Sequence, residues 1–149
     1  MSFYLGLPYR PLCTYALQQE RVWLIRDWVQ ECNEIHDHCK GLGITYLLTR
    51  LVDIGRGEGS NDCCLVNMAE LPGSANTDRY KCRYITLSYC WGSVPFLKAE
   101  KSSLESLSRQ IPLSSLPQVF QDLFSVSRVL GVRYVWIDAL CIIQDDESD

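Results

Sequence analysis

The sequence lacks long apolar runs and an excess of positive charge. Its longest stretch without Asp, Glu, Lys or Arg, residues 84–97, contains Ser, Gly and Pro. This stretch is shorter than the roughly 20 apolar residues that a membrane-spanning helix needs. The formal net charge is −4, whereas non-specific binding to nucleic acid or to an anionic membrane requires a basic face. We therefore expect no membrane span and no nucleic-acid partner.

The sequence also lacks a signal-peptide pattern and any CxxC pair, although it contains eight cysteines. No basic segment followed by an apolar block opens the chain, so we expect a cytoplasmic protein without a disulfide framework. Free cysteines often behave as small buried apolar side chains, and we expect this of most of them. The eight are Cys13, Cys32, Cys39, Cys63, Cys64, Cys82, Cys90 and Cys141.

Residues 20–39 are predicted to form a helix that follows an irregular arm over residues 1–19. Apolar residues, two cysteines and a histidine recur at spacings of three and four, which places them on one helical face. Gly41 and Gly43 end the pattern. The members of this face are Ile25, Trp28, Val29, Cys32, His36 and Cys39.

Cys32, His36 and Cys39 allow two interpretations. Thiolates and imidazoles are zinc ligands, and two of them at i and i+4 can share an ion. In a continuous helix, however, Cys39 lies about 10.5 Å along the axis from Cys32, which strains a single tetrahedral site. The same positions continue the apolar face, so core packing is the simpler interpretation and zinc is the alternative. The fourth ligand would have to be His38, Cys63, Cys64 or Cys82.

Two patterns predict an α/β fold. Residues 47–54 and 63–68 are β-rich and flank a polar, glycine-rich loop, which is typical of a β-hairpin. Further along, a strand over 83–89, a helix over 117–130 and a strand over 133–138 form a βαβ unit, the building block of parallel sheets. We therefore expect a parallel sheet flanked by helices, preceded by an N-terminal helix and a β-hairpin.

The crossover helix of this unit carries its own start and stop signals. Ser114 or Ser115 is a candidate N-cap, with Pro117 in the first turn. Gly131 is suited to the position just after the helix. The predicted buried stripe comprises Val119, Leu123, Val126 and Leu130.

The carboxyl ends of the two parallel strands are the predicted site, because ligands of open α/β sheets bind there. Asp138 is the candidate catalytic group, although a carboxylate at this position also suits a helix or turn cap. Trp91 and Trp136 could stack on a planar ring of a ligand or simply anchor the core. The candidate ligand-binding residues are Ser88, Tyr89, Trp91, Gly92, Trp136, Asp138 and Cys141.

Two long blocks resemble the signature blocks of the fungal heterokaryon incompatibility (HET) domain. These are residues 84–92 (YITLSYCWG) and 133–146 (RYVWIDALCIIQDD). The intervening segment 111–122 is similar to the same family. So is the upstream pattern Trp28-x3-Cys32-x3-His36-x2-Cys39, with residues 48–55 after it. The resemblance covers roughly residues 22–147, and its two blocks stand in the family's order and separation.

This resemblance implies a role in fungal non-self recognition, in which HET domains trigger programmed cell death as a form of innate immunity. HET domains are described as similar to TIR domains, which have a flavodoxin-like α/β fold and some of which cleave NAD⁺. In that comparison residues 85–89 resemble the first TIR strand and residues 135–138 the second. NAD is thus the possible substrate, and the enzyme class would be an NAD glycohydrolase.

One departure from the family pattern bears on activity. The family continues to a Trp-Thr-x-Gln-Glu block, which resembles the TIR segment that carries the catalytic glutamate, and this sequence contains no such block. We therefore expect residues 81–149 to be the N-terminal part of a HET domain, residues 20–80 to form the preceding helix and hairpin, and the chain alone to be inactive. A parallel sheet interrupted after two strands has an open edge, so we also expect self-association or a partner protein.

Two alternatives remain at the level of sequence. The domain could be a non-enzymatic module that signals by homotypic assembly, as TIR domains also do. It could instead be a structural module stabilised by zinc through Cys32, His36 and Cys39.

Overall fold

The computed structural model describes residues 19–37, 39, 48–55, 63–70 and 83–149. The predicted arm over residues 1–19 therefore lies outside the described residues except for its last one. The helices are α1 (Gln19–Ile35), α2 (Leu104–Arg109), α3 (Gln118–Val129) and α4 (Asp138–Cys141), with a 3₁₀ turn at Leu113–Ser115. The strands are β1 (Arg50–Asp53), β2 (Cys64–Asn67), β3 (Tyr84–Thr86) and β4 (Tyr134–Trp136).

The four strands form one mixed sheet in the order β2-β1-β4-β3, flanked by helices. The hairpin prediction is confirmed, because β1 and β2 pair antiparallel with Val52 opposite Leu65. The βαβ prediction is also confirmed, because β3 and β4 pair parallel with Ile85 opposite Val135. The expectation of a parallel sheet is wrong in one respect, since β1 joins β4 antiparallel, with Val52 opposite Val135. In a purely parallel sheet, a third parallel strand would pair with this side of β4. Here strand β1 of the hairpin supplies those hydrogen-bonding partners instead.

The core lies between one face of this sheet and the helices. Val52 of β1 and Val135 of β4 are inaccessible to solvent, and so are Ile54 and Ile137, which follow these strands directly. The other members of the core cluster are Cys63, Leu65, Ala99, Leu107, Ile111, Leu116, Phe120, Phe124, Ala139, Leu140 and Cys141.

Helix α3 packs through a different stripe from the predicted one. Phe120, Phe124 and Ser127 are fully buried, whereas Val119 is 41% exposed. Leu123, Val126 and Leu130 are half-buried. The i, i+4, i+7 spacing is the same but begins one residue later, because the two phenylalanine rings fill the core that smaller aliphatic side chains would leave open.

The predicted N-cap of α3 is wrong, whereas its predicted end at Gly131 is confirmed. Ser114 and Ser115 belong to the 3₁₀ turn, and Pro117 is the residue at the N-cap, without a side-chain cap bond. The predicted serine cap is therefore wrong. Gly131 does end the helix, with a φ of 68°. Its N–H donates to the Arg128 carbonyl, and the Val132 N–H donates to the Ser127 carbonyl, 2.9 Å away; these paired bonds are the Schellman arrangement.

Helix α1 ends at Ile35, four residues before the predicted end at Cys39. Trp28, the largest residue of its predicted buried face, is 59% exposed, and Val29 is exposed as well. Ile25 and Cys32 of that face are only half-buried. Core packing is therefore the wrong interpretation of this face for the part of the chain that the structure describes. None of the described helices is long and apolar enough to cross a membrane.

Candidate functional site

The carboxyl ends of β3 and β4 meet, as the βαβ topology predicts. The Leu87 N–H donates to the Trp136 carbonyl, 3.0 Å away, which continues the strand pairing past β3. Four residues on, the indole Nε1 of Trp91 donates to Oδ2 of Asp138 at 2.8 Å. A side chain from the β3 end is thus bonded directly to one from the β4 end.

Asp138 is held through both carboxylate oxygens. Oδ2 accepts from Trp91, and Oδ1 accepts from the Ala139 N–H at 2.7 Å. Asp138 is the first residue of α4, while Ile137 occupies the N-cap position. A carboxylate with two N–H donors has a fixed orientation and free lone pairs, so it can still accept a hydrogen bond from a hydroxyl group of a ligand.

An aromatic cluster, formed by Tyr89, Trp91, Phe96 and Phe120, supports this contact from the β3 side. Tyr89 meets Phe120 edge to face with ring centroids 5.1 Å apart, and Phe96 meets both Trp91 and Phe120 in the same manner. Such edge-to-face pairs add about 0.5–1.5 kcal/mol each beyond simple burial. Because Phe120 belongs to α3, the loop after β3 is fixed to the crossover helix as well as to Asp138.

Lys98 adds a positive charge beside this cluster. Its Nζ lies 4.9 Å from the centroid of the Trp91 ring and 5.9 Å from that of Phe96. An ammonium group over an aromatic face is stabilised by the ring quadrupole. The sequence analysis missed Lys98, because a lysine in an irregular segment carries no positional signal until the loop after β3 is folded back.

Tyr89 contributes a buried hydroxyl to the same region. Among the described residues its oxygen has no hydrogen-bond partner. Burial, and after it the negative charge of Asp138, raises the pKa of the Tyr89 hydroxyl well above its usual range. The group therefore stays protonated and remains a potential donor.

The other predicted ligand-binding residues have unequal access to solvent. Ser88 and Gly92 are exposed and Trp136 is half-buried. Gly92 has a φ of 69°, which favours glycine, although a Cβ there would meet no atom within 4 Å. Cys141 is only 3% exposed and belongs to the core. Burial raises the pKa of its thiol to about 11, so Cys141 is a neutral packing residue near the site.

A second polar arrangement, which sequence reasoning missed, joins the hairpin to β4. The Arg133 guanidinium donates to both oxygens of Asp53, with Nε–Oδ1 at 2.8 Å and Nη2–Oδ2 at 2.5 Å. The hydrogen bonds to Asp53 raise the pKa of Arg133. The pair lines an open cleft of about 380 Å³. Bidentate Arg–carboxylate pairs fix the relative geometry of the two side chains. We therefore infer that this pair holds β1 in register with β4.

The predicted metal ligands do come together. One ligand atom each from Cys32, His36 and Cys39 lies within 4.8 Å of the other two. The Cys32 thiol donates to the Cys39 sulfur, 3.1 Å away, and this hydrogen bond is the main cause of a raised pKa at Cys32. Only Cys63 and Cys141 of the six described cysteines are buried, so the expectation that most cysteines pack in the core is wrong for this part of the chain.

Residues 84–149 match the family described as "Heterokaryon incompatibility protein (HET)". The matched segment is somewhat less than half of the chain and contains every predicted ligand-binding residue. It supports a heterokaryon incompatibility domain protein. The match does not include Cys32, His36 and Cys39, so the family resemblance of that upstream segment stays a prediction. No curated protein and no solved structure matches the chain.

Proposed function

We propose that this protein acts in fungal non-self recognition and programmed cell death through a TIR-like HET domain located in the cytoplasm. Its ligand face is the carboxyl edge of β3 and β4. The observation that carries the proposal is the hydrogen bond from Trp91 to Asp138, which joins the two signature blocks inside the segment that matches the HET family.

The groups at this edge suit a dinucleotide such as NAD⁺. Asp138 has free lone pairs for a ribose hydroxyl, the role that an acidic residue fills in many dinucleotide sites. Trp91 and Trp136 are half-exposed rings that can stack on a base or on nicotinamide. Lys98 lies where a positive charge would attract a phosphate group.

Binding and cleavage are separate in this proposal. Cleavage of the nicotinamide–ribose bond passes through an oxocarbenium-like transition state, which a second carboxylate stabilises in related glycosidic reactions. The Trp-Thr-x-Gln-Glu block that would supply this glutamate is absent from the sequence. We therefore propose that residues 1–149 bind NAD⁺ and do not by themselves supply the glutamate that cleavage needs.

The test measures NAD⁺ binding by calorimetry and NAD⁺ loss by chromatography on the same samples. The chain should bind saturably without loss of NAD⁺, and a longer version that includes the Trp-Thr-x-Gln-Glu block should consume it. Asp138→Asn should weaken binding at least about tenfold, the effect of losing one charge-assisted hydrogen bond. Glu147→Gln is the matched control, because Glu147 is exposed. Absence of binding by folded protein would refute the proposed ligand.

Homotypic assembly is the second candidate function, and the position of β3 favours it. β3 lies at one edge of the described sheet. Because Leu87 donates its N–H towards β4, strand alternation turns the N–H of Thr86 away from β4 and towards that open edge. Light scattering should show a mass that rises with concentration, and Thr86→Pro should abolish the rise. A monomer at every concentration would exclude this function.

A further inference from the structure

The cluster formed by Cys32, His36 and Cys39 depends on where α1 ends. His36 continues the last turn, since its N–H donates to the Cys32 carbonyl at 3.3 Å. The chain then reverses, and the Cys39 N–H donates to the His36 carbonyl at 2.9 Å. Cys39 is thereby brought back to the end of the helix instead of continuing one turn further. The geometric objection to a single metal site, which assumed an unbroken helix, no longer holds.

The donor set and its dimensions fit zinc. Two thiolates and one imidazole are typical Zn²⁺ ligands. With Zn–S near 2.3 Å and Zn–N near 2.0 Å, the ligand atoms of a tetrahedral site are about 3.5–3.8 Å apart. The three ligand atoms here already lie within 4.8 Å of one another, and the two sulfurs are 3.1 Å apart. To admit the ion, the two sulfurs would move apart by about 0.7 Å and the imidazole nitrogen would move towards them by up to about 1.3 Å.

The surroundings favour a metal over packing. His36 and Cys39 are exposed and Cys32 is half-buried, so these side chains are not held together by burial. The apolar side chains of α1 in the same part of the chain, Trp28 and Ile35, are more than half exposed. Most helical stability in proteins comes from tertiary packing of an apolar face, and an ion bound at the last turn of α1 would fix both the helix end and the reversal after it.

We propose that Cys32, His36 and Cys39 bind one Zn²⁺ ion, which closes the C-terminal end of α1. The fourth position is taken by water or by another side chain of the protein. Of the four earlier candidates, Cys63 is buried and donates its thiol to the Ile111 carbonyl. The described cluster does not include Cys64, and His38 and Cys82 lie outside the described residues. This site is independent of the nucleotide-binding proposal.

The first test is the metal content of the full chain, expressed in zinc-supplemented medium and purified under reducing conditions without a polyhistidine tag. Elemental analysis should find about one equivalent of zinc. Less than about half an equivalent would overturn the proposal. Replacement by Co²⁺ should give an intense visible spectrum with a thiolate-to-metal charge-transfer band, as expected for tetrahedral sulfur coordination.

Variants locate the ion. Cys32→Ser, His36→Ala and Cys39→Ser should each lower the zinc content and reduce the cobalt charge-transfer band. Cys90→Ser is the matched control, because Cys90 is an exposed free cysteine outside the cluster, and it should retain the full zinc content. Equal zinc in the control and all three variants would overturn the assignment.

A thiol count distinguishes the remaining alternative, a disulfide between Cys32 and Cys39. After removal of reductant and denaturation in a chelator, all eight cysteines should react. If a disulfide joined these two residues, six thiols would react in the unsubstituted protein and seven in Cys32→Ser. That result would contradict the metal site.

Discussion

The segment matched by the HET family and helix α1 differ in how their aromatic side chains are used. In residues 84–149 the rings of Tyr89, Trp91 and Phe96 pack on one another and on Phe120 of α3. In α1, Trp23 and Trp28 are both more than half exposed. Apolar content alone therefore does not mark a core; a side chain contributes to stability when a second element covers it.

The largest effect that this comparison predicts is a difference in stability between two variants, each lacking one aromatic side chain in one of the two regions. Phe120→Ala removes a fully buried ring and should lower the free energy of unfolding by about 3–5 kcal/mol. Trp28→Ala removes a ring that is 59% exposed and should change it by less than about 0.5 kcal/mol. Urea denaturation monitored by circular dichroism measures both. Similar losses would show that α1 is covered by another part of the protein.

A smaller effect is expected from the Asp53–Arg133 pair, which joins the hairpin to the family-matched segment. Asp53→Asn leaves the Arg133 guanidinium without its bidentate carboxylate and should cost about 1–3 kcal/mol. The control is Glu105→Gln, whose partner Arg109 and own side chain are both largely exposed. This variant should change stability by less than about 0.5 kcal/mol in the same denaturation assay. Equal effects would mean that the hairpin is not anchored by Asp53.

The turn after α3 tests the rule that glycine is favoured at the left-handed position just after a helix. Gly131→Ala forces a side chain into a φ of 68° and should destabilise the protein by about 1–2 kcal/mol. No atom lies within 4 Å of the added Cβ, so the loss would come from backbone strain rather than from a clash. Thermal unfolding with unchanged stability would contradict this explanation.

The smallest effect is a pH dependence at the carboxyl end of the matched segment. Arg50 is the main cause of a lowered pKa at Asp149, and the Ile143 N–H contributes to it. A carboxyl with a lower pKa in the folded state stabilises the fold above its unfolded pKa of about 3.9 and loses that contribution as pH falls through its folded pKa. Partial exposure limits the effect to less than about 1 kcal/mol.

Comparison with Asp149→Asn isolates this contribution. Stability of the unsubstituted protein should fall more steeply below about pH 4 than that of the variant. Denaturation midpoints measured from pH 7 to pH 2.5 provide the two curves. Parallel curves would show that Asp149 contributes nothing to acid sensitivity.

Local signals predicted much of the fold. The hairpin and the end of α3 at Gly131 follow from the order of residues within a short window, and the βαβ unit follows from the order of its three elements. The antiparallel pairing of β1 with β4 was not predictable, because it joins residues about 80 positions apart that carry no shared pattern. The stripe of α3 was misplaced by one residue, since Val119 and Phe120 are both apolar and only packing distinguishes them.

Only part of the candidate site could be predicted from the sequence, again because packing decides where some of its side chains lie. The positions of Trp91 and Asp138 after two parallel strands are enough to predict both as site residues. The same rule does not predict Lys98, whose position depends on the fold of an irregular loop. At the N-terminal end, the assumption of an unbroken helix argued against the cluster of Cys32, His36 and Cys39, whereas the chain reversal after Ile35 brings it together.

The tryptophans of the two regions provide the most direct test of the nucleotide-binding account. The chain has four, Trp23 and Trp28 in α1 and Trp91 and Trp136 at the strand ends. Their indole N–H signals, assigned by single Trp→Phe variants, can be followed by nuclear magnetic resonance during titration with NAD⁺. The account predicts saturable shifts of the Trp91 and Trp136 signals while those of Trp23 and Trp28 stay in place. Shifts confined to the α1 tryptophans, or no shift at all, would contradict it.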